Sequence, residues 1–202
     1  MKLSIIEQNN ENGISITSST ILLVSLIISL FIVCLNLILN IEISGILAIV
    51  LLICVMAPIF TLIIGWKEYY PIDFIEIGKL QITESNIEYK DKKYVYEKIQ
   101  KLTFQINDFK GKRLNSPGIL WDAGPSLSQG VDNRLTFEIQ NEKIELDFQL
   151  QSETELKRLG KILKELYLKK VPIEETVNNS KSYGLEHLNY ADIQKFKKKY
   201  YR

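Results

Sequence analysis

Three spacings of apolar residues follow one another along the chain, and each predicts a different kind of element. Residues 21–39, ILLVSLIISLFIVCLNLIL, form nineteen uncharged positions whose only polar side chains are Ser25, Ser29 and Asn36. Residues 46–66, ILAIVLLICVMAPIFTLIIGW, are uncharged again. A bilayer core about 30 Å thick needs roughly 20 apolar helical residues, so each run is long enough to cross alone. Between them lie Asn40, Glu42, Ser44 and Gly45. A carboxylate at mid-bilayer costs about 2.5 to 3.5 kcal/mol on insertion scales, so this stretch predicts the tip of a transmembrane hairpin. Neither run has the polar face of a soluble helix. A cleaved leader is a poor fit, because no basic run or small-residue cleavage site accompanies the first apolar segment.

Beyond residue 73 the period drops to two, the signature of strands with one buried face. Leu80 and Ile82 alternate with polar neighbours, ESN can turn the chain, and Ile87 and Tyr89 resume the pattern. Tyr94 and Tyr96, then Leu102, Phe104 and Ile106, continue it. Leu135, Phe137 and Ile139 are joined to Ile144, Leu146, Phe148 and Leu150 through QNEK, a hairpin turn. One apolar and one wet face predicts antiparallel sheet.

The third spacing is helical. In SETELKRLGKILKELYLKK, Ser152 and Glu155 make a capping box, and Leu156, Leu159, Leu163 and Leu166 form one stripe. Lys169 and Lys170 suit the helix C-terminus, and Pro172 ends it. Short antiparallel strands closed by one amphipathic helix resemble the pleckstrin-homology architecture. More narrowly, the chain resembles bacterial membrane proteins that carry such a domain after a transmembrane hairpin. The resemblance rests on GKLQITESNIEY, on YVYEKIQKLTF and on the terminal helix, over about residues 73–170. It implies a curved sheet or partly closed barrel capped by the helix. Phosphoinositide binding is not implied, since the first hairpin carries Glu84 and Glu88 near its bend, and Lys90, Lys92 and Lys93 read as a solvated turn.

The expected organisation is therefore a polar N-terminal segment (1–19), a transmembrane hairpin (20–66), an α+β soluble domain (73–170), and a linker with a basic amphipathic tail (171–202). Residues 107–133 interrupt the strands without periodicity, a length usually functional or disordered. Lys110, Lys112 and Arg113 open this loop and Trp121 sits in its middle, so it could engage a bilayer or a partner, or Trp121 could fold back on the sheet. In the tail, Asn189 can cap a helix with Ile193, Phe196 and Tyr200 on one face and Lys195, Lys197, Lys198 and Lys199 largely elsewhere. Such a segment meets anionic lipid headgroups, docks on its own domain, or is a charged solvated tail.

Charge adds orientation and exclusions. The net charge of +1 hides a split, with one basic and three acidic residues up to 66 and net +3 beyond. Lys2 lies before the first span, Lys67 and Lys79 after the second, and the tip has no cation, which predicts both termini in the cytoplasm of a bacterial inner-membrane protein. Trp66, Tyr69 and Tyr70 have the amphipathic rings that settle at headgroup depth. Cys34 and Cys54 lie within spans, so no disulfide framework or thiolate metal site is expected. His187 is the only histidine, no nucleophile elbow or phosphate loop occurs, and no cofactor or enzymatic activity is expected. The charge is too small for nucleic acid. The expected function is a membrane-anchored adaptor or scaffold that docks a protein partner or a second copy. The alternative is a subunit of a transport or channel complex, against which stands the lack of ionisable residues in the spans.

Overall fold

Ahead of the apolar helices the chain already forms a strand, β1 (Lys2–Gln8), which lies in the interior of the sheet. The computed structural model describes residues 1–9, 15–39, 45–114, 124–177, 180–182, 195 and 198. Next come α1 (Ser18–Leu39) and α2 (Gly45–Gly65), then β2 (Phe74–Ile82), β3 (Asn86–Tyr89) and β4 (Lys92–Val95). A 3-10 turn, Tyr96–Lys98, leads to β5 (Lys101–Ile106), β6 (Lys110–Arg113), β7 (Leu127–Gln129), β8 (Asn133–Ile139) and β9 (Glu142–Gln149). Helix α3 (Glu153–Leu168) and strands β10 (Ile173–Val177) and β11 (Ser180–Ser182) follow.

Two compact units divide the chain. The first comprises Met1–Asn10, Ile72–Lys112 and Ser128–Arg202, and the second Glu11–Pro71 and Arg113–Leu127. In the first, the strand order is β11-β10-β5-β8-β9-β1-β2-β3-β4, antiparallel throughout except where β10 runs parallel to β5. The sheet bends strongly, since the Tyr94 ring of β4 meets Phe137 of β8 edge-on at 5.0 Å although four strands separate them. It does not close into a barrel. β4 and β11 remain its two edges, so the barrel alternative is replaced by an open sheet.

The bend gathers one core. Leu3 and Ile5 of β1, Leu80, Ile82 and Ile87, Leu102 and Phe104, Leu135 and Phe137, and Leu146 and Phe148 bury against Leu159, Leu163 and Leu166 of α3. The helix caps as its sequence requires. The Ser152 hydroxyl accepts from the Glu155 amide at 3.3 Å, and the Glu155 carboxylate accepts from the Gln151 amide at 2.7 Å. At the other end, Val171 donates to the Leu166 carbonyl and Lys170 to that of Tyr167, a Schellman closure with Lys170 left-handed at φ 59°. Left-handed pairs also make the two tight hairpins, Lys90 and Asp91 after β3 and Gln140 and Asn141 after β8.

Two segments depart from the expected organisation. Residues 1–8 are not a polar extension: Leu3, Ile5 and Ile6 are buried, and β1 pairs with both β2 and β9. Residues 173–177 are not linker. They cover the edge of β5, with Ile173 opposite Leu102, and the Tyr167 hydroxyl meets the buried Glu175 carboxylate. In both cases the alternation is too short to stand out, and the partner strand is far away in sequence.

The second unit holds the two apolar helices, which are long and apolar enough to cross a membrane. Among the described residues, their buried positions are small: Ser18 and Ser25 on α1, and Cys54, Thr61 and Gly65 on α2. Leu23, Ile27, Phe31, Ile53, Phe60 and Ile63 are exposed. Small residues let helix backbones approach, and bulky ones face outward, the arrangement suited to lipid. The Ser25 and Ser29 hydroxyls donate to carbonyls of their own helix, Leu22 and Ser25, at 2.8 Å. The expected tip, Asn40, Glu42 and Ser44, lies outside the described residues.

Candidate interaction surfaces

The irregular stretch 107–133 is built on a buried polar knot. Asn133 opens β8, and its side-chain oxygen accepts from the amides of Asn107 at 3.0 Å and Asp108 at 3.2 Å. Its side-chain nitrogen donates to the Gly130 carbonyl at 3.0 Å and to the Asp108 carboxylate at 3.3 Å. Asp108 also takes the Ser128 hydroxyl and the Asp132 amide. These groups lie below one-tenth exposure, except for Asp132, which is exposed, so every bond replaces a lost contact with water. Gly130 has no alternative here. It is left-handed at φ 71°, and a Cβ would intrude on the bonded Leu150 carbonyl and Lys110 amide.

This knot holds the start of β6, which pairs with β7 and carries three of the candidate contact residues. Lys110 and Arg113 are exposed, whereas the Lys112 ammonium turns back and donates to the Asn107 carbonyl at 2.5 Å. Trp121 lies outside the described residues. In the tail, Lys195 and Lys198 are helical and exposed, while Lys197 and Lys199 lie outside the described residues.

Within the second unit, the segment after α2 joins the two ends of residues 113–127. The Glu68 carbonyl accepts from the amides of Ser126 at 3.1 Å and Leu127 at 3.0 Å, Tyr70 donates to Leu127, and Leu114 donates to Ser126. The Glu68 carboxylate accepts from the Ser18 amide at 3.0 Å, which puts a negative charge on the N-terminus of α1. A Cβ on Gly65 would stand 2.6 Å from the Gly124 carbonyl, so glycine there permits the close approach. Trp66, Tyr69 and Tyr70, expected as interfacial anchors, are all exposed.

A second surface was not foreseen. Ile6, Glu7, Ile77, Tyr89, Glu145 and Asp147 line a groove of about 410 Å³ beside the β1 bulge. Lys143 holds the Glu145 carboxyl below the usual carboxylate range, and Asp147, bound at 2.6 Å, raises the Arg134 guanidinium further above its ordinary value. The Lys79 ammonium, aided by Ser4, likewise lowers the Glu76 carboxyl. The signal that could have found the groove is the run LSII in β1, whose strand character needed its partners to be visible. Among the described residues, no three His, Cys, Asp or Glu side chains are grouped to hold a metal ion. No family model, curated protein or solved structure matches the chain.

Proposed function

We propose that the protein is a membrane-tethered adaptor or scaffold without enzymatic activity. Two spans anchor a pleckstrin-homology-like domain at the cytoplasmic face of a bacterial inner membrane, where it docks a protein partner or a second copy. The observation that carries this reading is the pairing of β1 with β2 across the helix pair: Gln8 stands opposite Phe74, and Asn9 donates to Asp73. A strand before both helices and a strand after them share one sheet, which supports a chain that leaves and returns on the same side of a bilayer. Lys67 and Lys79 favour the cytoplasm for that side. The helix buried in the bend of a mostly antiparallel sheet supports the domain type, with β1 and β10–β11 as additions to it.

Single-cysteine labelling tests the tether. In a background with Cys34→Ser and Cys54→Ser, Glu42→Cys should react with an impermeant reagent outside intact cells and Lys92→Cys should not. Reverse labelling overturns the orientation. Light scattering in detergent should report a defined self-assembly or a stoichiometric complex, and solute flux through proteoliposomes of the purified protein would favour transport instead.

A further inference from the structure

The segment that returns from β6 to β7 belongs to the same unit as the two apolar helices, not to the sheet. Its described ends are joined to each other by the bond from Leu114 to Ser126, and fastened to the exit of α2 by three backbone hydrogen bonds: Ser126 and Leu127 to Glu68, and Tyr70 to Leu127. That fastening collects Trp66, Tyr69, Tyr70 and Leu114, each close to half exposed, at the ends where α2 finishes and α1 begins. Lys67 and Arg113 are exposed in the same unit. Glu68, the described acid of this group, spends its carboxylate on the Ser18 amide. The patch is continuous along the chain with the bare apolar surface of the helices, through Ile63 and Ile64.

We propose that this collar is a lipid-binding pad in which Leu114 and the three aromatic rings lie at headgroup depth and Lys67 and Arg113 take the phosphates of anionic lipids. The occupant is the bilayer for two reasons. The apolar members adjoin a surface that only hydrocarbon suits, and amphipathic rings beside cations match the headgroup layer in both polarity and charge. The inference rests on the membrane-tethered reading but adds to it a third membrane-contacting element, Arg113 and Leu114 at the end of β6.

The test uses the full chain in vesicles of phosphatidylcholine and phosphatidylglycerol. The chain has two tryptophans. Trp66→Phe with Trp121→Phe and Leu114→Trp makes position 114 the only reporter, and Trp121→Phe alone leaves Trp66 as the reporter for α2. Lipids brominated near the headgroup should quench the reporter at 114 more than lipids brominated near the chain end. Brominated phosphatidylglycerol should quench it more than brominated phosphatidylcholine, with an enrichment up to about fivefold for each cation. Lys67→Gln with Arg113→Gln should bring that ratio close to one in the position-114 background, and the same pair in the Trp121→Phe background should leave Trp66 quenched, which shows that the variant is still inserted. If Trp66 is quenched and position 114 is not, the pad is wrong and the tether stands. If the ratio is one with Lys67 and Arg113 in place, the anion site is wrong. If neither position is quenched, the tether fails and the pad with it.

Discussion

Tyr96 shows how a single side chain ties a turn to the core. It was expected to continue a strand, and instead it opens the 3-10 turn, because its ring buries and its hydroxyl donates to the Thr83 carbonyl at 2.9 Å. Burial raises its pKa well above the ordinary tyrosine value. A raised folded-state pKa means stability that is complete below about pH 10, where the unfolded tyrosine is also neutral, and that falls as pH climbs past that value. Tyr96→Phe should cost about 0.5 to 1.5 kcal/mol at neutral pH through the lost hydrogen bond. The gap between parent and variant, read from denaturant melts, should then narrow from pH 9 to pH 11. A gap that stays constant would mean that Tyr96 ionises as easily folded as unfolded. At the site, the same scale explains what the sequence could announce. Trp66, Tyr69 and Tyr70 could be picked out as aromatic residues after an apolar run, and are exposed, because that pattern is local. The roles of Glu68 and Asn133 were not, because their partners Ser18 and Asn107 lie far away in the chain.

Elements were legible where their period was long or their caps explicit. Helix α3 declared itself through Ser152, Glu155 and the leucine stripe, and QNEK gave its hairpin through the left-handed Gln140 and Asn141. β6 was not visible, since KGKR has no alternation and is held by the knot beneath it rather than by its own apolar face. Within the helix stripe the members are unequal. Leu159, Leu163 and Leu166 are fully buried and Leu156 only partly. Leu163→Ala should therefore cost about 2 to 5 kcal/mol, the range for a leucine cavity in a packed core. Leu156→Ala should cost less than half as much, because water already reaches that position. Thermal melts of both variants check the order, and equal losses would mean that the stripe, not its buried centre, holds the helix in place.

At the scale of the whole molecule, the helix pair occupies the place of a hairpin turn. Strands β1 and β2 pair in register through Gln8 and Phe74, and the Asn9 to Asp73 bond extends the ladder by one step, so two residues are enough to join them. Replacing residues 10–72 by Asn-Gly, and residues 115–125 by the same turn between the paired Leu114 and Ser126, should leave a soluble domain that contains every strand. It should give mixed sheet and helix by circular dichroism and melt cooperatively. The fragment 73–170, which the alternating pattern alone marks out as a domain, should not. It lacks Leu3, Ile5 and Ile6, each nearly fully buried, and burying such side chains contributes about 1.5 to 3 kcal/mol apiece. Three of them approach the entire stability of an ordinary domain, about 5 to 15 kcal/mol. It also leaves β9 and β2 without the strand that joins them, exposing two edges in the middle of the sheet. If the short fragment melts at the temperature of the joined one, β1 is an accessory. If the joined chain fails to fold while the full protein does, the helices are part of the domain's stability and not an insertion into its turn.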